Sequence, residues 1–138
     1  LGVYSPLSDG VIYEQYVGVL GDESIYGIEV LIGTYNRIND CDLKIELLEK
    51  GTDICIATKE ITVSKFIDND YNRIEFDEIV TVSSAKEYLV RISCNNVNDN
   101  LNNAIALYYT DDTVTDARYL LINEQMQKNN LALRILAK

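Results

Sequence analysis

Apolar and charged side chains take turns along most of this chain. Tyr26, Ile28, Val30 and Ile32 are separated by Gly27, Glu29 and Leu31, and Leu43, Ile45 and Leu47 by Lys44 and Glu46. Ile74 and Phe76 flank Glu75, Tyr88, Val90 and Ile92 enclose Leu89 and Arg91, and Leu131, Leu133 and Ile135 enclose Ala132 and Arg134. Successive side chains of a strand point to opposite faces. A period of two therefore sets one face on a core and leaves the other to water. In this register Tyr26 and Tyr88 point inward. Residues 103–109 and 118–122 are apolar on both faces, as in strands near the middle of a sheet or beneath loops.

Turn-forming clusters separate these runs: Gly21-Asp22-Glu23-Ser24, Lys50-Gly51-Thr52-Asp53, Asp68-Asn69-Asp70, Ser83-Ser84, Asn95 to Asn103, and Asp111 to Asp116. Glycine supplies positive φ there, and Asn, Asp and Ser close turns through their own side chains. The short connection at Lys50-Gly51 reads as a hairpin. The pattern predicts eight or nine strands at roughly ten-residue spacing. That makes an all-β fold, a two-sheet antiparallel β-sandwich of jelly-roll-like form. The best helical candidate is Asn123 to Asn129, with an extended hairpin loop as its other reading. No repeat, low-complexity segment or linker interrupts residues 1–138, which are read as one domain.

The 138 residues are enough to bury one sizeable core. No apolar run approaches the ~20 residues that cross a bilayer, and the first residues lack a signal-peptide pattern. A start at Leu1 rather than methionine is read as a piece excised from a longer protein, or a processed one. The net charge of −10, from 12 basic and 22 acidic residues, repels phosphate backbones and anionic lipid surfaces, so nucleic acid and membrane surfaces are not expected partners. With no histidine in the chain, the commonest general base and every His-dependent triad are excluded. Cys41, Cys55 and Cys94 form neither a CxxC pair nor a zinc knuckle. Cys55 and Cys94 read as small buried strand residues, while one disulfide is left open.

Several elements then follow in a familiar order: Gln15-Tyr16 in a first strand, Ile32-Gly33-Thr34-Tyr35-Asn36-Arg37-Ile38-Asn39, Asp42 to Leu47, Asp68-Asn69 leading into Ile74 to Ile79, Ser83 to Tyr88, and Asn103 to Tyr108. In that order and spacing the chain resembles an accessory β-sandwich domain of bacterial glycosyltransferases and polytopic cell-envelope membrane proteins. The resemblance implies a carbohydrate-binding-module-like appendage with no catalytic residues of its own, joined to adjacent domains of a parent protein. It implies cell-envelope association and leaves the side of the membrane open. The chain departs from the pattern at Ala85, where glycine usually follows the serine turn, and at Asn123-Glu124, where an Asn-Gly turn is expected.

Four constellations carry candidate chemistry. Tyr35, Arg37 and Asn39 sit in the corner from Thr34 to Asp40, where a planar donor fork, an amide and a ring could grip sugar hydroxyls. The structural reading of the same residues is a corner that satisfies its own backbone, and it is the favoured one. Ten tyrosines stand against two phenylalanines and no tryptophan, which leaves Tyr13, Tyr16, Tyr35, Tyr71, Tyr108 and Tyr109 as aromatic platforms or as ordinary strand residues. Asp68 and Asp70, with the Asn98-Asp99-Asn100 and Asp111-Asp112 loops, offer the hard oxygens that calcium takes, without the spacing of an EF-hand. No pair of carboxylates stands out for glycoside hydrolysis, and no phosphate loop or nucleophile elbow is present. The sequence therefore points to a noncatalytic module with a polysaccharide as ligand. The alternative is a structural spacer or protein-interaction domain that binds no sugar.

Overall fold

The computed structural model describes residues 2–4, 7, 10–95 and 104–138. The Asn98-Asp99-Asn100 loop, and with it most of the turn cluster expected from Asn95 to Asn103, lies outside the described residues. Among those described, the chain forms β1 (Gly2–Val3), β2 (Ile12–Gly18), β3 (Ser24–Gly33), β4 (Asp42–Glu49), β5 (Cys55–Thr62), β6 (Asp70–Thr81), β7 (Tyr88–Asn95), β8 (Ala106–Thr113), β9 (Tyr119–Ile122), β10 (Gln125–Met126), β11 (Asn129–Leu131) and β12 (Leu133–Ala137). One short 3₁₀ turn, Val63–Lys65, precedes β6. No helix among the described residues is long and apolar enough to cross a membrane.

The strands make two antiparallel sheets. The first runs β10-β9-β2-β7-β4-β5. In the second, β3 pairs with β6 along one edge and with β12 and then β8 along the other, and β8 also takes β1 and β11. Only the β4–β5 and β9–β10 hairpins and the β11–β12 bend stay within one sheet; every other connection crosses to the opposite one. Tyr13 and Val17 of β2, Leu43, Ile45 and Leu47 of β4, and Tyr88, Val90 and Ile92 of β7 are buried in one core with Ile28, Val30 and Ile32 of β3, Ile74 and Phe76 of β6, and Leu107 of β8. Each such side chain contributes roughly 1.5–3 kcal/mol by leaving water.

The sandwich is as the alternation predicted, with twelve strands among the described residues in place of eight or nine. Three of the extra elements, β1, β10 and β11, are two or three residues long, too short to show a period. The strand order does not in itself establish a jelly roll. The Asn123 to Asn129 segment is the hairpin, not the helix: Gln125 pairs with Ile122 across a two-residue turn at Asn123 and Glu124. Tyr26 does not point inward as expected. A bulge between Ile25 and Gly27 shifts the register, buries Ile25 and turns Tyr26 outward, where the Arg73 guanidinium lies 5.5 Å from its ring. Gly27 makes room for that bulge, since a Cβ there would collide with the Ile74 carbonyl. Tyr13, a candidate surface platform, is instead buried in the core at 2% exposure.

The alternation from Leu131 to Ile135 reads as one strand, but the chain is bent at Ala132. The segment pairs antiparallel with β8 up to Leu131 and antiparallel with β3 from Leu133, and it bends between the two. The Ala132 N–H donates to Tyr108, and its carbonyl accepts from the Leu31 N–H. Gln15 fixes this fork from the other sheet. Fully buried on β2, it accepts from the Leu131 N–H at 2.8 Å and donates to Asn130 Oδ1 at 2.9 Å. The same amide nitrogen donates to the carbonyls of Tyr16 and Tyr119. Replacing Gln15 with leucine keeps the volume but strands the Leu131 N–H and the Asn130 amide in a dry interior. Urea unfolding of Gln15→Leu is expected to show a loss of about 2–4 kcal/mol.

Candidate functional site

The Thr34 to Asp40 corner brings Tyr35, Arg37 and Asn39 together and turns them toward one another. Tyr35 and Asn36 both take left-handed φ values, 58° and 54°, the paired geometry of a tight reversal. Arg37 Nε donates to Asn39 Oδ1 at 2.9 Å, and its Nη2 donates to the Ala104 carbonyl at 3.1 Å. The guanidinium carbon lies 4.8 Å from the centre of the Tyr35 ring. Asn39, 1% exposed, donates to the carbonyls of Thr34 and Arg37. The corner's polar groups thus close on its own backbone, while the Tyr35 ring is 44% exposed.

The two calcium candidates serve the neighbouring turn. Asp68 accepts from the Thr34 N–H at 2.6 Å, and Asp70 accepts from the Tyr71 N–H at 2.8 Å. Asn69, between them, donates its N–H to the Ile32 carbonyl and accepts from the Tyr108 hydroxyl. Among the described residues, no three His, Cys, Asp or Glu side chains gather as a metal ion would require. The other tyrosine platforms are partly covered. The Arg134 guanidinium sits 3.7 Å from the centre of the Tyr71 ring, Tyr109 packs on Tyr4 with centroids 4.8 Å apart, and burial holds the Tyr13 phenol above its ordinary ionisation range.

Tyr16 belongs to a more open arrangement on the outward face of the β10-β9-β2-β7-β4-β5 sheet. It opposes Tyr119 in the β2–β9 register, and the two rings stack with centroids 4.3 Å apart and planes 11° from parallel. The Lys50 ammonium lies 5.9 Å and 5.6 Å from the two ring centres, within cation–π reach. Burial is the first cause of a raised Tyr16 phenol pKa, and the nearby Glu14 carboxylate the second. Leu89, paired with Tyr16, and Leu48, paired with Leu89, are buried but stand outside the central core, forming an apolar patch on this side of the sheet.

One step along the same strands the face becomes charged. Glu14 Oε2 accepts from Arg91 Nε at 3.1 Å and Nη2 at 2.9 Å, a charge-assisted pair across β2 and β7. Glu46 of β4 opposes Arg91 on its other side. These residues, with Ile12, Lys44, Ser93 and the Asn123-Glu124 turn, line a depression of about 670 Å³. The turn is fastened to β2 twice, since the Ile12 N–H donates to Asn123 Oδ1 at 2.8 Å and the Asn123 N–H donates to the Ile12 carbonyl at 2.9 Å. Its φ values, 49° at Asn123 and 67° at Glu124, are those of a type I′ turn.

Of this face the sequence offered only Tyr16 as a candidate; Lys44, Glu46 and Arg91 stood as charged alternates of strands, and Tyr119 and Glu14 were not singled out. The available signal was weak: each is the outward alternate of a strand, which looks the same as a solvated face until the strand order is known. Compared with known proteins, the chain matches no family model and no curated protein.

Asn39→Ala is expected to cost about 2–3 kcal/mol in thermal or urea unfolding, because it removes the donor to the Thr34 and Arg37 carbonyls and the acceptor of Arg37 Nε. Glu124→Gly is expected to raise stability by about 0.5–1 kcal/mol, because glycine takes the left-handed conformation without the Cβ penalty.

Proposed function

We propose that this domain is a noncatalytic accessory module of a larger polysaccharide-handling cell-envelope protein, such as a glycosyltransferase. In this reading it holds polysaccharide weakly on the outward face of the β10-β9-β2-β7-β4-β5 sheet. The observation that carries it is the depression beside the Tyr16–Tyr119 stack. A pyranose polymer offers C–H faces and hydroxyl pairs in alternation. Aromatic rings suit the former, and carboxylate, guanidinium and ammonium groups suit the latter. From Tyr16 to Ile12 the face runs ~13 Å along β2, enough to follow an extended chain. Glu14 is engaged by Arg91 on two hydrogen bonds, a role that positions both groups and supports binding over acid–base chemistry. Weak contacts would suffice, since a tethered module raises the local concentration of polymer near a partner domain.

A second reading, a spacer or protein-interaction domain without a sugar ligand, is favoured by a different observation. Ile38 and Ile67 are 82% and 63% exposed, on the corner and on the turn that adjoin the end of β3. A glycan array followed by titration, with calcium present and absent, separates the two. The module reading expects polysaccharide binding that weakens at least ~5-fold, about 1 kcal/mol, in Tyr119→Ala and in Arg91→Ala, with melting temperatures kept close to wild type. Absence of binding to every polysaccharide tested in both conditions would leave the spacer reading in its place.

A further inference from the structure

Cys41 and Cys94 meet on the inward side of the β4–β7 pair. Cys94 of β7 is paired with Leu43 of β4, and Cys41 lies two residues before Leu43. The two cysteines are therefore diagonal neighbours on one face of adjacent strands. Both belong to the core, at 3% and 5% exposure, and Cys94 is the first influence that lowers the ionisation range of the Cys41 thiol. Cys41 is the last residue before β4 and directly follows the Thr34 to Asp40 corner, and its carbonyl accepts from the Val63 N–H at 3.1 Å. Cys55 stands elsewhere. It is exposed on the edge strand β5, its sulfur directed to the Ala57 carbonyl at 3.3 Å.

We propose that Cys41 and Cys94 form a reversible disulfide that staples β4 to β7 and locks the corner against the sheet. The oxidant is a small peroxide. Cys41 reacts first, because the neighbouring Cys94 side chain draws its thiol below the ordinary range against the opposing effect of burial. Its thiolate attacks one peroxide oxygen, the O–O bond breaks, and a proton is taken up, leaving Cys41 as a sulfenic acid with one water released. The Cys94 sulfur then attacks the Cys41 sulfur. The S–S bond forms, the S–O bond breaks, and the hydroxyl leaves with the Cys94 proton as a second water. Two thiols are oxidised by two electrons, and one peroxide is reduced to two waters. A dithiol reductant reverses the bond by exchange. The closed loop spans residues 41–94, long enough for the cross-link to remove substantial entropy from the unfolded chain.

The test is peptide mapping of the reduced protein after brief hydrogen peroxide treatment, with the remaining thiols alkylated in denaturant. The expected result is a Cys41–Cys94 linked peptide pair, titratable thiols falling from three to one, and a Tm higher by roughly 5–15 °C. Dithiothreitol restores all three thiols and the original Tm. Cys55→Ser behaves as wild type, whereas Cys94→Ser stops at sulfenic acid on Cys41 and gains no stability. A cross-link that involves Cys55, covalent dimers in place of the internal bond, or three intact thiols after excess peroxide would overturn the proposal. If Cys94→Ser does not fold, the wild-type peptide map decides alone.

Discussion

A buried amide, Gln15, makes a directional link between the two sheets. Apolar burial drives them together but is not directional, and a core of Ile, Leu and Val would tolerate one sheet sliding over the other. Gln15 removes that freedom, because its amide is costly to bury unless every hydrogen bond is made. Its oxygen and nitrogen reach Leu131 and Asn130 in the opposite sheet, and the nitrogen also reaches the carbonyls of Tyr16 and Tyr119 in its own. The consequences extend through the sheet. On the far face, the side chains of those same two residues are the stacked rings. The clamp that aligns the sandwich from within thus also fixes the backbone beneath the aromatic platform outside.

Much of the fold was legible from alternation, and the reason lies in individual strands. β4, β6 and β7 are long and bury alternate residues over these spans, so Leu43 to Leu47, Ile74 to Phe76 and Tyr88 to Ile92 announce both their type and their inward face. Legibility failed where a local irregularity broke the period. One bulge beside Gly27 reversed the direction of Tyr26, and the bend at Ala132 split an apparent strand that contacts two others. The pairing of β2 with both β7 and β9 is not written in any one segment. The outward face they build could not be assembled without it. Glu14, Arg91 and Glu46 each looked like ordinary solvated charges; only their adjacency across three strands gives them a shared depression.

The corner and the sheet face divide the polar residues between two tasks. Asn39 and Arg37 are drawn inward by backbone carbonyls that no strand partner satisfies, because the chain reverses there through two left-handed residues. A corner of this kind must meet its own hydrogen bonds, and it leaves few donors for anything else. The strands of the outward face have no such deficit. Their backbone groups are used in the ladder, so the side chains of Glu14, Lys44, Glu46 and Arg91 remain at the surface of the depression. Regular secondary structure is what leaves these polar side chains at the surface.

The β4–β7 pair carries consequences on both of its sides. Inward, it sets Cys41 and Cys94 as diagonal neighbours in the core; outward, Lys44 and Ser93 are directly paired and line the depression together with Glu46 and Arg91. Since strand residues alternate, Cys94 and Ser93 are consecutive residues on opposite faces of one strand, so a covalent bond on the inner face constrains the spacing of the outer one. Oxidation would therefore act on the depression through the strand spacing itself, without a moving loop. The thiol pair and the charged floor are then two faces of the same ladder, and the geometry that sets one sets the other.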